Sequence, residues 1–241
     1  MRLDKFLVST GKISRSDAGR AARGGKVTVN GIVEKKADRH IDPDVDVITL
    51  HGERIVYRRY TYIMLNKPAG FVSATEDGRD PTVLTLLPEE HQRIGLFPCG
   101  RLDKYTLGLM LLTNDGELSH RLLSPRHHVE KRYAYTCKLP LLPEEIEQLE
   151  RGIELEDGYI TKPARLMTEP GSRSGIIVLT EGKYHQIKRM FEAVGNKIET
   201  LERVTFGPLS LDPSLDRGEW RYLTDEEVSL LQRGTKGVDE P

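Results

Sequence analysis

The sequence predicts an α+β fold with a mainly antiparallel mixed sheet flanked by helices. Short strand-like and helix-like segments follow one another along the chain, without the regular strand–helix–strand repeat of a doubly wound fold. The 241 residues are enough for one large domain or for a small and a medium one. After Arg58 and Arg59 the predicted elements change to short strands between turns and helices. This change favours two domains, which we place at residues 1–59 and 60–232. We expect residues 233–241 to be a disordered tail.

The small domain is predicted to hold two short helices and a small sheet. Apolar residues recur at helical spacing in "RLDKFL", and Ser14 or Ser16 can cap a second helix that runs to Arg23. Two glycines then end this helix. The alternating segment "KVTVNG" predicts a strand and a tight turn, and "DVITL" predicts a further strand.

The larger domain alternates between predicted strands and helices. The strands are the segments "YTYIMLN", "LMLLT", "RYAYTCKL", "GIIVLT" and "WRYL". One helix follows the turn at Asn114, a second begins at Pro143, and "HQIKRMFEAVG" forms a third that ends at Gly195. Thr224 and Glu227 make a capping box for a last helix.

The composition predicts a protein of the cytoplasm that does not use the membrane as a partner. The chain is 37% hydrophobic and 30% charged, as in ordinary globular proteins. It contains no run of roughly 18 apolar residues, and no apolar signal core follows Met1. Cys99 and Cys137 stand in no metal or redox spacing, and so few cysteines favour a reducing compartment.

The positive charge is concentrated at the start of the chain. The formal net charge is −1, yet residues 1–26 contain seven basic and two acidic residues, a net charge of +5. Arg20 and Arg23 lie three residues apart and therefore share a helix face. This asymmetry fits a lobe that binds a large anion such as nucleic acid, and it fits a solvated helical surface equally well.

Several kinds of chemistry are excluded by the motifs that the chain lacks. It has no GxGxxG, no P-loop, no GxSxG, and no histidine pair at metal-ligand spacing. His127 and His128 are adjacent and point apart in either a helix or a strand. We interpret these two, His120 and His185 as surface or satisfied polar residues, and we expect no metal.

One acidic residue stands out at the start of a core strand. In "FPCGRLDKYTLGLMLLTNDG", Asp103 lies between glycines just before an apolar run, whereas Asp115 fits a turn or a helix cap. Apolar surroundings disfavour an ionised carboxylate, so a cation must compensate for its charge. The candidates are Arg101, Lys104 or a basic group from elsewhere in the fold. From this stretch alone, a structural loop aspartate is the more common alternative.

The first quarter of the chain resembles the S4 RNA-binding domain, a small α-L fold. The resemblance is carried by "RLDKFL", "SRSDAGRAARGGKVTVNG" and "DPDVDVITL". It implies that the second helix and the turn after it bind structured RNA, although some of the same side chains would serve solubility alone. The contacts implied in this way are Arg15, Ser16, Arg20, Arg23 and Lys26.

The segment "GRLDKYTLGLMLLTNDG" resembles the catalytic motif of pseudouridine synthases, and the chain as a whole resembles the RsuA-type branch that modifies ribosomal RNA. The segments "NKPAG", "EKRYAY" and "EGKYHQIKRM" match the other family motifs in order. The resemblance implies isomerisation of a uridine, in which the bond from N1 to the ribose breaks and C5 is joined instead. No group leaves for good and no redox change occurs, so neither a metal nor a cofactor is implied.

The resemblance also implies a role for each site residue. Asp103 is the essential carboxylate, acting as a nucleophile or as a base on the ribose. Lys188 is its basic partner, although helical spacing alone makes it an exposed lysine. Tyr133 stacks on the target base, where the pattern alone suggests a core aromatic. Arg101 fills the gap left by a flipped nucleotide, or pairs with Asp103. The supporting residues are Asn66, Lys67, Pro68, Thr106 and Gly108.

Within this branch, "MLNKPAGFVSATED" and "LLSPRHHVEKRYAY" are most similar to enzymes that act on 16S rRNA. We therefore expect 16S rRNA, free or in an assembly intermediate, as the partner of a monomeric enzyme. A synthase of the 23S rRNA is the alternative within the family. A non-catalytic ribosome-assembly factor and a sugar-processing hydrolase are the alternatives from other classes.

Overall fold

The structure is a computed structural model and describes residues 1–233. Of the predicted tail, residues 234–241 lie outside the described residues. The described chain forms two compact units. The first comprises Met1–Thr61 together with Leu84–Phe97, a segment that the boundary drawn at residue 59 does not include. The second comprises Tyr62–Val83 and residues 98–233. Every helix within residues 1–233 is too short or too polar to cross a lipid bilayer.

The first unit contains two helices that pack on a four-stranded antiparallel sheet. The Ser14 hydroxyl caps the second helix by accepting a hydrogen bond from the Asp17 N–H. The arginines of that helix are exposed. The sheet order is β2-β1-β3-β4. The elements are α1 (Leu3–Ser9), α2 (Arg15–Arg23), β1 (Val27–Val29), β2 (Ile32–Val33), β3 (Ile48–Leu50) and β4 (Glu53–Ile55).

The second unit is built around a larger sheet with helices packed on it. The short helix α3 (Glu89–Gln92) belongs to the first unit, and two 3-10 turns lie at Val83–Leu86 and Pro125–His127. The remaining elements are β5 (Tyr62–Lys67), β6 (Phe97–Pro98), β7 (Leu107–Thr113), α4 (Gly116–Leu123), β8 (Lys131–Cys137), α5 (Pro143–Arg151), β9 (Arg165–Met167), β10 (Ser174–Leu179), α6 (Gln186–Ala193), β11 (Ile198–Phe206), β12 (Leu209–Ser210), β13 (Trp220–Tyr222) and α7 (Asp225–Arg233).

The main path of this sheet runs in the order β13-β5-β7-β11-β8-β10-β9. Only the β7–β11 pair along that path is parallel, and the other neighbours are antiparallel. The predicted α+β fold with a mainly antiparallel mixed sheet is therefore confirmed. Asp115 caps α4, as its position suggested: it accepts hydrogen bonds from the Leu118 N–H (3.0 Å) and the Tyr62 hydroxyl (2.7 Å).

The parallel pair brings the start of β7 close to β11, and a glycine makes this approach possible. Gly108 lies opposite Arg203 and has a φ of +96°. A Cβ atom at this position would lie 2.3 Å from the Arg203 carbonyl oxygen, so any side chain here would push the two strands apart. The loop that precedes β7 is consequently held against the centre of the sheet.

Candidate active site

Asp103 lies in the loop that enters β7, and this loop is fixed on both sides. On one side, the Ser73 hydroxyl donates to the Leu102 carbonyl (2.8 Å) and accepts from the Leu102 N–H (3.0 Å). On the other side, the Lys67 ammonium donates to the carbonyls of Lys104 (3.1 Å) and Thr106 (2.8 Å). The carboxylate is thus carried by a backbone that is tied down immediately before and after it.

Lys67 is a fully buried cation whose hydrogen bonds all go to backbone carbonyls, the third being that of Pro68 at 3.0 Å. Burial lowers the pKa of Lys67 to about 8, because the ammonium loses its hydration. The Asp103 carboxylate opposes this shift, while Arg203 and Lys188 add to it. Lys67 therefore remains mostly charged near neutral pH, and its hydrogen bonds hold the loop in position.

The carboxylate of Asp103 faces the first turn of α6. Lys188 places its Nζ 3.0 Å from Oδ2, and His185 places its Nε2 3.6 Å from Oδ1. Both side chains of the Asp103–Lys188 pair are less than one-third exposed, so water screens the attraction between them less than it screens a fully exposed ion pair. The fold therefore brings together the two residues that the resemblance paired.

The two cations nearest to Asp103 in sequence take other positions. Arg101 is exposed on the cavity wall, and within residues 1–233 it makes no ion pair with Asp103. Lys104 pairs with Asp80 at 2.6 Å. Within residues 1–233, neither of them forms an ion pair with the carboxylate. The partner comes from a helix more than eighty residues further along the chain.

A cavity of about 610 Å³ opens beside this carboxylate. Its wall includes Tyr133, which is 9% exposed and stands on β8, and Thr106, whose buried hydroxyl has no hydrogen-bond partner within the described part of the chain. Asp103 and Lys188 line the same cavity. A volume of this size suits a small organic ligand or one nucleotide unit of a larger one.

Two further cations, the buried Arg203 and the half-buried Lys131, contribute to the cavity wall. The Arg203 guanidinium is 1% exposed, donates to the Leu109 carbonyl (2.7 Å) and lies 5.0 Å from the Phe206 ring centroid. Burial, with a smaller effect of Arg203, lowers the pKa of Lys131 to about 8. Lys131 also lies over the Phe206 ring, at 5.7 Å. The cavity is thus strongly cationic, which suits an anionic substrate.

Sequence patterns alone do not indicate most of these groups. Lys131 sits inside the quoted motif "EKRYAY", but nothing in its spacing places it on a cavity wall. Arg203 belongs to β11, a strand that the sequence analysis did not identify, and Ser73 follows no pattern. His185, interpreted as a surface or satisfied polar residue, is half-exposed and has Asp103 as its partner, a position that its spacing does not indicate; its backbone is left-handed, with φ 50°.

The remaining supporting residues act on the scaffold. Asn66 donates to the Leu215 carbonyl (2.7 Å) and accepts from the Arg217 guanidinium (2.6 Å), which ties β5 to the segment before β13. Pro68 supplies one of the carbonyls that hold Lys67. Gly108 permits the contact between β7 and β11.

In the first unit, the residues predicted to contact RNA are all exposed. Arg20 forms an ion pair with Asp17, and Ser16 lies within hydrogen-bond distance of Ser14, at 3.0 Å. The set therefore forms an accessible basic surface on α2 and the turn after it, which consists of Arg15, Ser16, Arg20, Arg23 and Lys26.

Comparison with known proteins identifies both units. Residues 61–193 match the family model described as RNA pseudouridylate synthase, and residues 1–47 match the S4 domain. A Bacillus subtilis protein named as an uncharacterized RNA pseudouridine synthase, YtzG, is 47% identical over 234 residues, which cover 96% of this chain and 98% of that protein.

Two further similarities extend over nearly the whole chain. The ribosomal small subunit pseudouridine synthase A of Escherichia coli K12 is 42% identical over 239 residues, covering 96% of this chain and all of that enzyme. A crystal structure described as a pseudouridylate synthase has a TM-score of 0.67 at 38% identity, and covers 96% of this chain and 99% of its own. This chain therefore belongs to the RNA pseudouridylate synthase family and carries an S4 domain within residues 1–47.

Proposed function

We propose that this pseudouridine synthase converts a specific uridine of ribosomal RNA, and that the RNA is the 16S rRNA of the small subunit. The observation that carries the proposal is the Asp103 carboxylate, which lies in a cationic cavity with the Lys188 ammonium 3.0 Å from Oδ2. The relative from Escherichia coli, similar over nearly its whole length, is named for the small ribosomal subunit. We further propose that the enzyme is a monomer and works in the cytoplasm.

The chemistry follows from the groups around the cavity. Asp103 acts on the ribose, as a nucleophile or as a base, and in both routes it must begin as an ionised carboxylate. Lys188 supports that state. The bond from N1 to the ribose breaks, the uracil turns, and C5 joins the ribose in its place. C5 then loses its proton and N1 gains one, so the composition of the nucleotide does not change. The free base must stay in the cavity while it turns, and stacking on the Tyr133 ring would retain it.

A uridine inside a helix cannot reach this cavity, so it must leave the stack. Arg101, exposed on the cavity wall, is placed to fill the gap that the uridine leaves. The basic surface on α2 would hold the RNA through its phosphates, which give affinity and register but no sequence information. Residues 1–59 thus supply binding, and residues 60–232 supply the chemistry.

The decisive experiment replaces Asp103 with asparagine, which keeps the shape of the side chain and removes its charge. Unmodified 16S and 23S rRNA transcripts, both free and assembled with ribosomal proteins, are incubated with enzyme, and pseudouridine is mapped. We expect the wild type to modify 16S rRNA, and D103N to lose at least about 1000-fold in rate while RNA binding is kept, a change of about 4 kcal/mol in the barrier. The matched control is D80N, which removes the carboxylate that pairs with Lys104 and should change the rate only slightly.

Each alternative gives a different result. Full activity of D103N would contradict the site. Modification of 23S rRNA alone would identify a large-subunit enzyme. RNA binding with no pseudouridine in either transcript would indicate an assembly factor. Release of free uracil, seen by chromatography, would indicate a hydrolase.

A further inference from the structure

We infer that Tyr184 is a stacking platform for the base of a nucleotide next to the target uridine. The inference rests on the proposed function, because it needs an RNA strand at the cavity. Tyr184 and Tyr133 line the same cavity, yet Tyr184 is 68% exposed whereas Tyr133 is 9% exposed. One ring is therefore available to a base inside the cavity, and the other to a base at its rim.

The backbone around Tyr184 is held in a fixed turn. His185 adopts a left-handed conformation, with φ 50° and ψ 30°, which a non-glycine residue keeps only when its surroundings enforce it. The buried Gln186 provides this restraint, since its side chain accepts from the Lys183 N–H (2.9 Å) and donates to Glu181 (2.6 Å). A ring that is already ordered loses little conformational entropy when a base stacks on it.

The exposed ring is linked to the reacting carboxylate by one other ring. Tyr184 and His185 are stacked, with their centroids 3.9 Å apart and an interplanar angle of 17°. The His185 Nε2 lies 3.6 Å from the Asp103 Oδ1. Since the imidazole covers one face of Tyr184, an incoming base would take the opposite face. That base would extend a stack that begins beside the carboxylate, where the ribose of the target uridine must lie.

The surroundings favour a nucleobase as the occupant of this face. The exposed cations Arg101 and Lys183 line the same cavity, and cations interleaved with aromatic rings are the usual means of binding single-stranded RNA. When a uridine leaves its helix, the neighbouring base loses a stacking partner. Tyr184 is placed to restore that partner. The platform would thus stabilise the opened RNA without reading its sequence.

The test uses a short RNA hairpin taken from whichever rRNA transcript the wild type modifies. We expect Y184L to lower the affinity for this hairpin and kcat/KM by about tenfold, while kcat at saturating RNA stays within about twofold. Y184F keeps the ring and should behave like the wild type. The matched control is Y222L, which removes an exposed ring on β13 outside the cavity lining and should leave both quantities unchanged.

A second arm identifies the occupant by removing its base. Hairpins are made with an abasic nucleotide on the 5′ or the 3′ side of the target uridine. If Tyr184 stacks on one of these bases, the wild type binds one of the two abasic hairpins about tenfold more weakly than the intact hairpin. Y184L binds that abasic hairpin no more weakly than it binds the intact one. The inference is overturned if Y184L binds the intact hairpin as tightly as the wild type does. It is also overturned if, on both abasic hairpins, the loss of affinity from Y184L multiplies with the loss from the missing base. If the wild type modifies neither rRNA transcript, the proposed function fails first, and this inference fails with it.

Discussion

The two units both display basic residues, but they use them in opposite ways. On α2 and the following turn, the side chains from Arg15 to Lys26 are exposed, and the pairing of Arg20 with Asp17 is at the surface. Around Asp103, Lys67 and Arg203 are almost completely buried, and Lys188 is less than one-third exposed. Exposed charges act over a Debye length and are weakened by salt, whereas buried charges are screened far less.

This difference assigns separate tasks to the two sets of cations. Burying a cation costs free energy, so a fold keeps one only where hydrogen bonds and a counter-charge compensate. Lys67 has three carbonyls, and Lys188 has the Asp103 carboxylate. The buried set therefore fixes geometry, while the exposed set attracts a polyanion.

The first prediction concerns the charge buried at Lys67. Since its pKa falls from 10.5 to about 8 in the folded protein, the unfolded chain binds more protons between these pH values. The free energy of unfolding of the wild type should therefore rise with pH over the range 8 to 10.5. Relative to K67M, which carries no titrating group here, the gain should reach about 3 kcal/mol. Urea denaturation at pH 7.5, 9 and 10.5 measures it.

The activity of K67M tests whether the hydrogen bonds of Lys67 hold the loop that carries Asp103 in position. K67M leaves the carbonyls of Lys104 and Thr106 without their donor, so the loop that carries Asp103 should shift, and the rate should fall about a hundredfold. The matched control is K138M, which removes an exposed lysine outside the cavity lining and should leave the rate unchanged. If the free energies of unfolding of the wild type and of K67M instead change in parallel with pH, Lys67 is not a buried charge.

The second prediction concerns the counter-charge of Asp103. K188M removes the ammonium that lies 3.0 Å from the carboxylate, so the single-turnover rate should fall about tenfold or more. K188R keeps a cation and should recover most of the rate. R189M is the matched control, since this neighbouring cation on α6 pairs with Asp157. Equal rates for K188M and R189M would contradict the special role of Lys188.

The elements that sequence patterns predicted well are those with local causes. Capping by Ser14, capping by Asp115 and the turn at Asn30 depend on residues a few positions apart, and each occurs as expected. Lys188 is different, because helical spacing places it off the apolar stripe of α6. That side of the helix faces the cavity, and only the family resemblance indicated this.

The strand β11 shows why the rest was not predictable. Its sequence, "IETLERVTF", carries charges at Glu199, Glu202 and Arg203, which hide the apolar alternation of a core strand. The strand nevertheless lies between β7 and β8 in the sheet. Arg203 is buried there because a carbonyl and the Phe206 ring receive its guanidinium. Such compensation comes from residues distant in sequence, so no local window contains it.

The last and smallest prediction concerns the exposed set. When an arginine that contacts a phosphate is replaced, the plot of the logarithm of the RNA-binding constant against the logarithm of the salt concentration becomes less steep by about 1. We expect this change for R23A. R20A should weaken binding somewhat more, since it also frees the negative charge of Asp17. The rate at saturating RNA should not change in either variant, because neither residue lines the cavity.

R151A is the matched control for these two variants, since Arg151 is an exposed helix arginine paired with Glu147 in the other unit. Its salt slope should equal that of the wild type. If R20A and R23A also keep the wild-type slope, the basic face of α2 does not contact RNA, and the positive charge of residues 1–26 serves solubility alone. If they flatten the slope and also lower the saturated rate, the separation between attraction and geometry fails, because an exposed cation would then be acting on the chemical step.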